Sequence, residues 1–149
     1  MIKKILTYPE DKEILTKVSK EVKNVSEVQD LIQDMKDTLH STEHGVGISA
    51  VQIGVLKRVC VIHYNGKDTV LINPIITKTR GEQTSREGCL SVPEKYGDFT
   101  RPQKVWVEYI DEAGRERELA EGGFMTRIIC HELDHLEGWC PVFGLAEEE

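Results

Sequence analysis

Residues 124–138, Phe-Met-Thr-Arg-Ile-Ile-Cys-His-Glu-Leu-Asp-His-Leu-Glu-Gly, decide how this chain is organised. At helical spacing Phe124, Ile128, His131 and His135 fall on one side, with Ile129, Leu133 and Leu136 on a stripe beside it. Two adjoining apolar stripes predict a central, deeply buried helix over 124–137, and Gly138 reads as its C-terminal cap. Inside it lies His131-Glu132-Leu133-Asp134-His135, an HExxH pattern whose i, i+4 spacing puts both imidazoles on one face, where they can bind one ion. Glu132 lies about 100° around the axis from His131, placed to address a water beside the ion without being a ligand. Two merely hydrogen-bonded core histidines are the blander reading. Burying two imidazoles beside a glutamate and an aspartate is costly unless all four groups find partners, which favours the ion.

A catalytic ion needs a third protein ligand and an open position. The run His131 to Gly138 matches a longer metalloprotease pattern, but Pro141 stands where its third histidine belongs, and Glu137 points to another face. Thiolate joins imidazole readily around zinc or ferrous iron, which makes Cys60, Cys89, Cys130 and Cys140 the candidates. Cys60 sits in a strand pattern that explains it as core, and the side chain of Cys130 diverges from the histidine pair. Cys140 stays a candidate, though tied closely to the helix end. Cys89 lies in Arg86-Glu87-Gly88-Cys89-Leu90-Ser91-Val92-Pro93, where Gly88 permits close backbone approach and Pro93 stiffens the chain beyond it.

Working outward, Val28, Leu31, Ile32, Met35 and Leu39 predict an amphipathic helix within 26–44, started by a capping box at Ser26 and Gln29 and ended by Gly45. Its polar face of Asp30, Gln33, Asp34, Lys36 and Asp37 reads as solvated surface. Strands are expected at 59–64 and 70–76 around an Asn65-Gly66 turn, and at 105–110 and 115–120 around Asp111 to Gly114. The pattern is α+β, with antiparallel sheet packed around the central HExxH helix. A frayed, solvent-facing tail is expected at Glu147, Glu148 and Glu149. With neither repeat nor linker, residues 1–149 read as a single domain.

Composition narrows the class. The 149 residues include 39% hydrophobic and 30% charged residues, with 12 Gly and 5 Pro, which excludes collagen-like, low-complexity and wholly disordered chains. No apolar run approaches the roughly 20 residues of a membrane helix, and the start lacks a signal peptide's apolar stretch and cleavage site. A cytoplasmic setting with free or metal-bound thiols is the expectation. Because 26 acidic residues outnumber 19 basic ones and no basic cluster forms, direct nucleic-acid binding is not expected.

Three motifs in order now carry a resemblance: Gly45-Val46-Gly47-Ile48-Ser49-Ala50-Val51-Gln52, Glu87-Gly88-Cys89-Leu90-Ser91 and His131-Glu132-Leu133-Asp134-His135. The chain resembles a peptide deformylase over nearly its whole length. The resemblance implies a short-tailed, mainly β form, with Cys89, His131 and His135 holding one divalent ion. It implies that Glu132 accepts a proton from the activated water and returns it to the departing nitrogen, while Gln52 and the backbone N–H of Leu90 stabilise the oxyanion. The substrate implied is the N-formylated end of a nascent polypeptide, and the products are formate and a free amine. Gly45, Gly47, Ile48, Gly88, Tyr96 and Ile128 are the expected substrate-binding residues, with an exposed strand edge near Gly45 to Ile48 pairing with the extended chain. A crowded site would admit a formyl group and reject an acetyl group. Glu87 and Arg127 are expected to pair and hold the cysteine segment against the helix.

Ser49 stands where the family commonly has alanine, and Cys130 where it usually has glutamine. The resemblance favours Fe2+, the residue types alone favour Zn2+, and Ni2+ or Co2+ would also fit. It further implies a monomer with transient ribosome association. The rivals are another metal-dependent amidase or peptidase, and a non-catalytic metal- or peptide-binding module with a closed site.

Overall fold

The computed structural model describes residues 1–147. Within them the chain forms helices α1 (Lys12–Leu15), α2 (Gln29–His40), α3 (Gly123–Leu136) and α4 (Phe143–Ala146). Its strands are β1 (Gly47–Ser49), β2 (Val59–Tyr64), β3 (Lys67–Arg80), β4 (Gln83–Cys89), β5 (Val92–Arg101), β6 (Lys104–Ile110) and β7 (Glu116–Gly122). A five-stranded sheet in the order β1-β2-β3-β6-β7 and a two-stranded β4-β5 sheet are both antiparallel. This is the expected α+β arrangement of antiparallel sheets around the HExxH helix.

The two hairpins form where the turn chemistry places them. Asn65 and Gly66 take φ of 54° and 73°, the left-handed pair that matches the twist of adjoining strands, and β2 pairs β3 from Val59↔Ile72 to Tyr64↔Lys67. Gly114, at φ 84°, closes the β6-β7 turn, where Asp111 also accepts hydrogen bonds from the backbone of Ala113 and Arg115.

Helix α2 begins later than its apolar pattern suggests. A 3-10 turn, Val25–Val28, precedes it, capped by Asn24, whose side chain accepts from Ser26 N–H. Gln29 donates to the Val25 carbonyl, so the capping box expected at Ser26 does not form. Asn24 reaches the orphan N–H first because an Asx side chain bonds naturally two residues ahead. Nor does Gly45 end the helix: Ser41 does, and Gly45 N–H is instead taken up by Thr42 Oγ1.

Strands β4 and β5 carried no clear alternation in the sequence. Their runs QTSREGC and VPEKYGDFTR are polar because much of this ribbon faces solvent and is held by its own ladder, from Gln83↔Arg101 to Cys89↔Val92. One consequence decides the site: Cys89 is the last residue of a strand.

Three buried clusters hold these parts together. Ile32, Met35 and Leu39 of α2 pack on Ile48, Val59 and Val61; Ile128, Ile129, Leu133 and Leu136 of α3 pack on Ile62, Leu71 and Val107; and Leu15, Val51, Val92, Cys140 and Phe143 join the chain's two ends. Of the expected frayed tail, Glu147 accepts a hydrogen bond from the Tyr8 hydroxyl, and Glu148 and Glu149 lie outside the described residues. No helix among the described residues is long and apolar enough to cross a membrane. Ile129 is fully buried between α3 and the sheet, so Ile129→Ala should cost roughly 2–5 kcal/mol, read as a lower midpoint in urea unfolding.

Candidate metal centre

Helix α3 presents His131 and His135 from successive turns, and the β4-β5 hairpin brings Cys89 against them. The two Nε2 atoms are 3.3 Å apart, and Cys89 Sγ lies 3.3 Å from His135 Nε2. Bonds of about 2.0–2.1 Å to nitrogen and about 2.3 Å to sulfur, at tetrahedral angles, require N···N of about 3.3 Å and S···N of about 3.6 Å. The histidine pair stands at that separation, and Cys89 Sγ lies about 0.3 Å inside the sulfur distance to His135. His131 Nδ1 faces Glu87 Oε1 at 3.2 Å, so a ring that gives up its Nε2 proton to bind an ion keeps the other on Nδ1, toward the carboxylate. The chemistry and spacing of the set fit a divalent ion.

Electrostatics agree. The Cys89 thiol is held well below its usual range, chiefly by a hydrogen bond with Cys140, then by the two histidines, all against the opposing effect of burial. Burial opposes charge on His131, but Cys89 and Glu87 beside it lift its imidazolium to about 10. Cys60 and Cys130 are the reverse case: burial pushes both thiols up, Cys130 to about 11, as expected of core cysteines.

Glu87 does not pair with Arg127. Its partner is Arg101 of β5, which donates from Nε and a terminal nitrogen to both carboxylate oxygens at 2.9 Å, and from the other terminal nitrogen to Asp134 of α3. Arg127 instead donates to the Arg86 carbonyl. The reason is position: Glu87 pairs with Gly97 in the ladder and points inward, where Arg101 is buried, while Arg127 lies at the cavity rim. Arg101 was missed because nothing separates it in the sequence from the other arginines. Asp134, the aspartate of the HExxH stretch, finds its partner in the same guanidinium.

Glu132 is buried, and burial raises its carboxyl above the usual range despite the two histidines beside it. Ser49 Oγ lies 3.0 Å from Glu132 Oε1 and 2.9 Å from the Glu132 carbonyl. Gln52, on a 3-10 turn after β1, is oriented by two bonds: its Oε1 accepts from Ser49 N–H at 2.9 Å and its Nε2 donates to Ser91 Oγ at 3.0 Å. Only an oxygen can meet the Ser49 N–H, so the amide nitrogen must turn toward the donor cluster, where it lies 3.8 Å from Cys89 Sγ.

A cavity of about 510 Å3 opens beside these groups, bordered by Gly45, Gly47, Gln52, Gly88, Cys89, Leu90, Tyr96, Ile128, His131 and Glu132. Gly47 is required by close approach: a Cβ there would meet Glu132 Oε2 at 2.7 Å and Ile128 Cγ2 at 3.0 Å. At Gly88 an added Cβ would likewise meet Tyr96 Cε1 at 2.6 Å. Ile48 does not line the cavity. Alternation along β1 turns Gly47 and Ser49 toward α3 and sends Ile48 to the opposite face, fully buried among the residues packed under α2. The edge of β1 away from β2 is available, since His63 N–H bonds the Val46 carbonyl and antiparallel alternation then leaves the Gly47 amide groups on the free side. Cys140, the other candidate thiol left open by the sequence, comes within 3.7 Å of His131 Nε2.

Against known proteins, the polypeptide deformylase family matches residues 2–147. The chain belongs to that family. It is 46% identical over 128 residues to peptide deformylase 2 of Clostridium acetobutylicum, covering 85% of each chain, and 44% identical over 138 residues to the peptide deformylase of Caldicellulosiruptor bescii, covering 92% of this chain and 81% of the relative. The crystal structure of a peptide deformylase from Legionella pneumophila superposes with a TM-score of 0.90 at 36% identity, covering 98% of this chain and 91% of that one. One from Synechococcus elongatus, in complex with actinonin, gives 0.86 at 39% identity, covering 91% and 74%. Membership makes this chain a metal-dependent hydrolase that removes the N-formyl group from nascent polypeptides.

The Glu87 carboxyl is raised by burial but held down to about 2 overall by His131 and Arg101, against 4.5 for the free group. A depressed carboxyl stabilises the fold above its unfolded value and loses that contribution as pH falls through the folded one. Chelator-treated protein should therefore lose on the order of 3 kcal/mol between about pH 4.5 and 2, and urea titrations of Glu87→Gln should lack that slope.

Proposed function

We propose that Cys89, His131 and His135 hold the ion of this deformylase and that Glu132 moves the proton in hydrolysis of the formyl amide. The carrying observation is that Cys89 Sγ and His131 Nε2 each lie 3.3 Å from His135 Nε2, next to a buried glutamate whose carboxyl burial raises. When bound, the ion polarises the formyl carbonyl and acidifies the water beside it. Fe2+ is favoured by the family resemblance, and the thiolate-imidazole set also suits Zn2+, Ni2+ or Co2+.

The chain's own residues do the rest. Glu132 takes a proton as the water oxygen joins the formyl carbon, then gives it to the nitrogen as the C–N bond breaks, releasing formate and the free amine. A carboxyl raised by burial suits both transfers. Ser49 supports the cycle: its hydroxyl donates to ionised Glu132 and can turn to the Glu132 carbonyl while accepting from the protonated acid. The Gln52 amide nitrogen and the Leu90 N–H stabilise charge on the formyl oxygen. The free edge of β1 at Gly47 pairs with the extended substrate, independent of its sequence, with Gly45 bordering the cavity beside it, while Ile128 and Tyr96 receive the first side chain. Discrimination against an acetyl group would come from crowding of the acyl position between the ion and Glu132.

Residues 1–149 act on this reading as one catalytic unit, a cytoplasmic monomer meeting chain ends as they leave the ribosome. Metal-loaded protein should release formate from formyl-methionyl peptides and nothing from the acetylated or unformylated ones. Glu132→Gln should lower kcat about 100-fold or more with metal content unchanged, and equal turnover in that variant would defeat the acid-base assignment. Ser49 holds the Glu132 carboxyl down against burial, so Ser49→Ala should move the acidic limb of the kcat/KM profile to higher pH without abolishing turnover.

A further inference from the structure

Cys140 plays no part in the reaction above, yet its thiol completes the donor cluster. The ligand atoms of Cys89, His131, His135 and Cys140 all lie within 4.8 Å of one another. Cys140 Sγ stands 3.7 Å from His131 Nε2, and Cys89 Sγ 3.3 Å from His135 Nε2, so the two sulfur-to-nitrogen spacings fall on either side of the roughly 3.6 Å a tetrahedral ion sets. Cys140 approaches from behind the site. Cys89 and His131 border the substrate cavity, whereas Cys140 is almost wholly buried among Leu15, Val51 and Phe143.

The backbone delivers this thiol by a defined route. Helix α3 ends at Leu136, and Gly138 adopts φ 77° with its N–H bonded to the His135 carbonyl, while Trp139 N–H bonds that of Asp134. This reversal turns the chain back across the last helical turn. A second turn, closed by Phe143 N–H on the Cys140 carbonyl, holds Cys140 facing the histidines.

We propose that Cys140 is a fourth protein ligand, giving the site a closed Cys2His2 state when it binds and an open CysHis2 state when it withdraws. The inference rests on Cys89, His131 and His135 being the other three ligands. Sets of four cysteines and histidines close around structural ions, whereas catalytic sites keep a position for water. Bound Cys140 brings the protein ligands to four, so an ion that keeps four-fold coordination has no place left for the water the reaction needs, and ion exchange and turnover both depend on its release. Each thiol that binds gives its proton to solvent.

The test is sulfur counting by X-ray absorption at the zinc edge on full-length protein loaded with one equivalent of Zn2+. Wild type should show two sulfur ligands, and Cys140→Val and Cys89→Ser should each show one, with Cys140→Ser as the second variant should valine disturb packing. A count that the Cys140 variants leave unchanged overturns the proposal and returns Cys140 to a hydrogen-bond donor toward Cys89. One sulfur in wild type, lost in Cys89→Ser, does the same while leaving the three-ligand reading intact. No sulfur in wild type overturns both.

Discussion

Arg101 is the fastening on which the site depends. Its guanidinium grips Glu87 of β4 through two bonds and Asp134 of α3 through a third, all in a nearly buried position. The ribbon β4-β5 shares no ladder with the larger sheet, so this ion-pair bridge and the apolar cluster at Val92 and Phe143 set where Cys89 stands relative to the histidines. A planar, bidentate guanidinium fixes direction as well as distance, which a lysine in its place would not do. Glu87 passes the constraint on by orienting His131 through Nδ1, so one arginine indirectly aims two ligands from two different elements.

A second constraint is steric. Glu132 is brought so close to β1 that only glycine fits at residue 47, and the same closeness brings the Ser49 hydroxyl within bonding distance of the carboxylate. Removing the carboxylate from water raises its proton affinity, and the serine tempers that rise. Packing and proton chemistry are thus one arrangement: the glycine that makes room for the acid also leaves backbone amides on a free strand edge beside it.

Much of the fold was legible because the signals were local. The buried helix, the two hairpins and their turns come from spacing and from residues such as Asn65, Gly66 and Gly114 that accept left-handed backbone. The α2 start was read wrongly because Asn24 and Ser26 offer competing caps, and geometry chose the first. Strands β4 and β5 were illegible because their pairing is stabilised by each other rather than by an alternating buried face. Ile48 was expected among the substrate-binding residues as an apolar side chain in the first motif, but the two-residue period of β1 sends it to the side opposite the cavity.

The sequence by itself determined the donor types and half of their geometry: two histidines four residues apart on one helix must share a face, with a glutamate alongside. It also supplied the ordered motifs that mark the family. Only the tertiary structure decided which arginine pairs with Glu87, which hydroxyl meets Glu132, and that two cysteines rather than one reach the histidine pair. The physical reason is range. Contacts within a helix or a hairpin are set by covalent spacing, but Arg101 and Glu87, Ser49 and Glu132, and Cys89 and Cys140 meet through the packing of separate elements, and no local pattern records that packing.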